Sequence, residues 1–73
     1  MTANEIIKNM MSDRGITQGK ITEMLGMKHQ SGVSQALSRD MKTSMLLRFL
    51  ESMDCELIIR DKKTGTEWVV SEK

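Results

Sequence analysis

Gln30, Ser31, Ser34, Gln35, Ser38 and Arg39 are separated by three- and four-residue steps, which gathers them on one side of a helix. All but the last are uncharged. Solvated helix faces usually carry Glu and Lys. A face of Gln and Ser instead offers hydrogen-bond donors and acceptors of the kind that read base edges in the DNA major groove. Gln30 is the leading candidate, because a Gln amide can bond bidentately to an adenine edge. Ser31, Ser34 and Gln35 are the next, and Gly32, lacking a side chain, would allow close approach to a thymine methyl or the backbone. Lys20, Lys28, Arg39 and Lys42 are candidates for phosphate, contacts that position a protein without reading sequence. Thr43 and Ser44, at the start of a predicted helix, can offer amides to a phosphate. His29 is the only histidine. No nucleophile is placed near it, so it reads as an exposed turn residue or a phosphate contact.

These side chains need two short helices joined by a turn. Thr17 is a good N-cap for the first, and Ile21, Met24 and Leu25 recur at helical spacing to give it an apolar face. Gly26 follows where a helix commonly ends in the left-handed conformation. Gly19, inside this helix, costs about 1 kcal/mol relative to Ala. The second helix starts near Gln30, and its apolar residues Val33, Ala36 and Leu37 share one side. Before this pair, a helix is expected from about Thr2 or Ala3 to Asp13, with Ile6, Ile7, Met10 and Met11 as its stripe and Arg14 and Gly15 as its end. Ile16 should drop into the core. After the pair, Met41 lies in the link to a fourth helix running from near Thr43 to near Asp54, with Leu46, Leu47, Phe49, Leu50 and Met53 at helical spacing.

The last stretch changes character. Residues 55–60 and 66–71 are β-rich runs around Asp61, Lys62, Lys63, Thr64 and Gly65, a compact polar turn that signals a hairpin. A lone two-stranded hairpin is marginal in water. Leu57 and Ile59 lie on one face of their strand and Ile58 on the other, and Trp68 and Val70 alternate with Val69. One face is expected to cover the helices, chiefly the fourth. The other face and the strand edge need cover, which a second copy of the chain would supply by pairing hairpins about a twofold axis. Leu57, Ile58, Ile59, Trp68, Val69 and Val70 are therefore candidate dimerisation residues.

The run Leu25, Gly26, Met27, then Gln30, Ser31, Gly32, Val33, then Ala36 and Leu37, resembles the helix-turn-helix of the Cro and C1 class of bacterial and phage repressors. Gln18 matches a Gln that opens the first motif helix in that class, Gly26 its turn glycine, and Val33 its buried β-branched residue. Met27, Lys28 and His29 make the turn one residue longer than usual, and Thr22 replaces a small residue. The resemblance spans roughly residues 3–53. It implies a mainly α fold: a lambda repressor-like four-helix DNA-binding core over residues 1–54, with the motif at 17–39, followed by a β-hairpin over 55–73 in the same domain. It also implies base contacts at Gln30 and Ser31, a phosphate clamp at Gln18 that can brace Gln30, and a homodimeric repressor reading a near-palindromic double-stranded site. The hairpin is similar to the β extension of short antitoxin repressors, and residues 46–53 with Glu56 and Leu57 resemble the antitoxin of a HipA-type toxin kinase. A toxin or other protein partner is thus a second expectation, and an adaptor using the same fold without touching DNA a third.

Composition narrows the field. The chain has 73 residues and one cysteine, Cys55, so it has room for one core, no internal disulfide and no Cys/His cluster for structural zinc. Net charge is only +1, but residues 12–48 hold six basic against three acidic side chains, whereas residues 49–73 hold four against six. A basic middle with an acidic tail suits a protein that meets phosphates with one face only. The eight methionines fit an adaptable core. No Gly-rich phosphate loop, carboxylate pair or nucleophile constellation is present, so neither an enzyme nor a cofactor is expected. With no signal peptide and no apolar run near 18 residues, a soluble cytoplasmic protein is expected, with no membrane partner.

Overall fold

The computed structural model describes residues 1–71. It contains four helices, α1 (Ala3–Arg14), α2 (Gln18–Met24), α3 (Gln30–Ser38) and α4 (Thr43–Ser52), followed by two strands, β1 (Leu57–Arg60) and β2 (Glu67–Val70). No described helix is long and apolar enough to cross a membrane.

Local chemistry sets most boundaries. Thr2 caps α1 by accepting from the Glu5 amide, and Gly15 ends that helix at φ 65°. Thr17 caps α2 by accepting from the Lys20 amide. Gly26 turns the chain after α2 at φ 69°, a conformation that costs glycine least. Thr22, buried inside α2, donates its hydroxyl to the Gln18 carbonyl at 2.8 Å, so its polar atom is satisfied within its own helix. After α4, Asp54 takes the left-handed role at φ 59°, one that short polar side chains tolerate better than most.

The largest fully buried side chains come one from each helix: Ile7, Ile21, Val33 and Phe49. Met11, Leu37, Leu50 and Met53 complete the core, with Ile16, Leu25, Met27 and Met41 packed against it. Two apolar residues assigned to inward stripes lie outside it. Ile6 and Met24 are exposed, because a helix this short turns only a narrow arc inward. In α1 that arc is centred on Ile7 and Met11.

The strands form an antiparallel hairpin in which Leu57 faces Val70, Ile58 faces Val69, Ile59 faces Trp68 and Arg60 faces Glu67. In the turn, the Asp61 carboxylate accepts from the Lys63 amide at 2.8 Å, and Gly65, at φ 77°, donates to the Asp61 carbonyl. One expectation is corrected here. The face carrying Leu57, Ile59, Trp68 and Val70 does not lie along α4. Only its base, Leu57 and Val70, reaches the helices, where it borders Leu47 and Leu50. Ile59 and Trp68 remain 59% and 54% exposed, and on the opposite face Ile58 and Val69 are 43% and 59% exposed.

Candidate nucleic-acid interface

The helices are tied together at their C-terminal ends. The last carbonyls of a helix have no partner within it, and here three side chains from other helices supply one. Asn4 of α1 donates to the Leu37 carbonyl at 3.1 Å and to that of Arg39, closing the end of α3. Arg48 of α4 donates to the Leu25 carbonyl at 2.8 Å, closing the end of α2. Arg14 of α1 donates to the Met53 carbonyl, closing the end of α4. Each tie also places a donor at the negative end of a helix dipole.

The N-terminal ends of α3 and α4 are treated in the opposite way. His29 is the N-cap residue of α3 and Lys42 that of α4, and neither makes a side-chain cap hydrogen bond. Neither first turn contains an acidic residue, and the same is true of α2, whereas α1 carries Glu5. Uncapped amides at a positive dipole end suit an anionic group. Lys20, Lys28, His29, Arg39, Lys42 and Thr43 are all exposed, and His29, Lys42 and Thr43 sit at these ends.

Between them, Gln30, Ser31, Ser34 and Gln35 are exposed on α3, while Val33 and Leu37 point into the core. Gln30 does not extend freely. Its side-chain oxygen would lie 3.6 Å from a Cβ on Gly19, so the start of α3 rests on the start of α2. Gln18, half-buried, is the neighbour of Gly19 in that first turn. A Cβ at Gly19 would make only ordinary van der Waals contact with Gln30, so the glycine is not required to seat the leading candidate reader.

The structure gives Gly32 a different part. A Cβ there would fall 2.4 Å from Cε of Met27. The side on which Gly32 lacks a Cβ faces the end of the flexible Met27 side chain, so the missing side chain admits that methionine. The same methionine, half-buried, fills the extended turn between α2 and α3.

The charge reading is sharpened as well. Of the basic residues in the middle of the chain, Arg14 and Arg48 are committed to helix ends. The side chains of Lys20, Lys28, Arg39 and Lys42 make no hydrogen bond or ion pair among the described residues. Sequence reasoning missed Asn4, Arg14 and Arg48 as structural ties. Their partners lie 33, 39 and 23 residues away, beyond any local pattern. No group of three or more potential metal ligands converges among the described residues. No family model, curated protein or solved structure matches the chain.

Proposed function

We propose that this protein is a homodimeric, sequence-specific binder of double-stranded DNA, a cytoplasmic repressor of the lambda repressor-like class, with α2 and α3 as its helix-turn-helix. The observation that carries the reading is the exposed, uncharged Gln/Ser face of α3. It begins at an uncapped helix end, and the exposed Lys20, Lys28, Arg39 and Lys42 have no side-chain partner among the described residues.

In this reading α3 enters the major groove. Gln30, held against Gly19, presents its amide to an adenine edge, and Ser31, Ser34 and Gln35 contact neighbouring bases. The four cations, with His29, Gln18 and the first-turn amides at Thr43, meet phosphates and set the register. Two copies of α3, about 34 Å apart, would read the halves of a near-palindrome. The low net charge fits a binder whose attraction is confined to one face.

Selection of bound sequences from a random DNA pool at physiological salt tests this directly. The expected product is an inverted repeat with half-site centres about ten base pairs apart. A folded protein that enriches no sequence would refute the proposal.

A further inference from the structure

The hairpin leaves one of its edges in a particular chemical state. Antiparallel strands alternate hydrogen-bonded and non-hydrogen-bonded pairs. The Asp61 amide donates to the Thr66 carbonyl at 2.9 Å. In the observed register, Ile59/Trp68 and Leu57/Val70 are then the hydrogen-bonded pairs. The backbone groups of Glu56, Ile58 and Arg60 consequently point away from β2, along an outer edge that no described strand covers.

We propose that this edge of β1 pairs with the same edge of a second copy of the chain, the twofold axis passing through Ile58, to form a four-stranded antiparallel sheet. The proposal rests on the homodimer in the proposed function and adds its interface and register. It does not depend on DNA.

Symmetry restricts the choice. An axis between two residues would pair an outward-facing amide with an inward-facing one, so the axis must lie on a residue. On Ile58, that residue meets Ile58 of the second copy, Leu57 meets Ile59, and Glu56 meets Arg60. Apolar residues meet apolar ones throughout, and a Glu–Arg pair closes each end. Arg60 already faces Glu67 across its own hairpin, so each end carries an acid–base–acid row.

The neighbouring registers fail this test. An axis on Leu57 sets Ile58 against Glu56, one on Ile59 sets Leu57 against Asp61, and one on Arg60 sets Ile59 against Asp61. Pairing β2 edges about Val69 sets Glu67 against Ser71 and brings no opposite charges together. Opposite charges across strands stabilise a pair, and like charges or unmatched carboxylates weaken it.

The register also accounts for the exposed side chains. One face of the shared sheet has a central apolar row of Val69 and Ile58 from both copies. The other face sets Ile59 and Trp68 of the second copy beside Leu57 and Val70. Those two residues line a groove of about 390 Å³ with Leu47 and Leu50 of α4, so the apolar surface becomes continuous from one helical core to the other.

The test uses the full chain with Cys55→Ala, which removes the only native thiol, and adds Ile58→Cys or Val69→Cys. Oxidation without DNA should convert the Ile58→Cys chain into a disulfide-linked dimer. Cα atoms of a hydrogen-bonded antiparallel pair lie about 5.5 Å apart, inside the disulfide range. The Val69→Cys chain should stay unlinked, because two intervening β1 strands hold those residues about 14 Å apart. Linkage at Val69 and not at Ile58 would overturn the β1 edge in favour of β2, and linkage at neither position in a chain of unchanged helical content would overturn the dimer. Glu56→Arg, which puts like charges at both ends, should weaken dimerisation about tenfold by sedimentation; an unchanged dissociation constant would reject the register. A linked Ile58→Cys dimer that selects no DNA sequence would leave this interface standing and remove the DNA reading alone.

Discussion

The helical core and the hairpin solve the same problem in different ways. Residues 3–53 bury a large apolar side chain from every helix, and they satisfy three helix ends with Asn4, Arg14 and Arg48. The hairpin secures its backbone and its turn but leaves Ile58, Ile59, Trp68 and Val69 open. Four helices enclose a volume, whereas two strands have two faces and only the base of one meets a helix. A soluble monomer rarely exposes so much apolar surface in one place. The core is closed by the helices with Cys55 and Leu57 packed against it, whereas most of the hairpin's apolar side chains have no cover among the described residues.

Substitutions should separate the two regions, starting with the largest effect. Phe49→Ala empties the centre of the core and should cost about 3–5 kcal/mol, enough to unfold a domain of this size in mild urea. If the helical signal persisted with an unchanged urea midpoint, the core assigned here would be wrong. Trp68→Glu should leave the helical signal intact and weaken the dimer by about 2 kcal/mol or more, seen as monomers in sedimentation. Loss of helix content in that variant would show that the hairpin supports the core, against the separation drawn above.

Smaller effects test the candidate interface. Gln30→Ala should cost about 1–3 kcal/mol on the selected site and little on random DNA. Lys28→Ala should weaken both alike and lower the salt slope by about one. Equal losses from Gln30→Ala on the two DNAs would remove it as a reader. Asn4→Ala frees the carbonyls at the end of α3 and should cost about 1 kcal/mol of stability, measurable as a shift in thermal midpoint. An unchanged midpoint would mean that water replaces the tie at no cost.

Much of this was legible in the residues themselves. The caps at Thr2 and Thr17, the left-handed glycines 15, 26 and 65, and the polar turn before β2 all act through neighbours in the chain. The inward faces of α3 and α4 likewise follow from spacing of three and four. The misreadings arose where the partner was remote. Ile6 and Met24 match an apolar period but fall outside the arc that neighbouring helices cover. Gly32 is a local case by contrast, since Met27, only five residues earlier, fills the side that the glycine leaves open. Arg14 and Arg48 remain exposed, and nothing in the sequence signals that they also donate to carbonyls of other helices.

By itself, then, the sequence determined the number, type and approximate limits of the elements, because capping, turn conformation and amphipathic period are short-range properties. It also determined which residues of α3 face outward. Only the tertiary structure decided which cations are consumed in holding helices together, which glycine serves packing, and how far the hairpin reaches over α4. The ties depend on contacts between residues 23 to 39 positions apart. The packing at Gly32 and at the hairpin base depends on side-chain placement that no local pattern encodes.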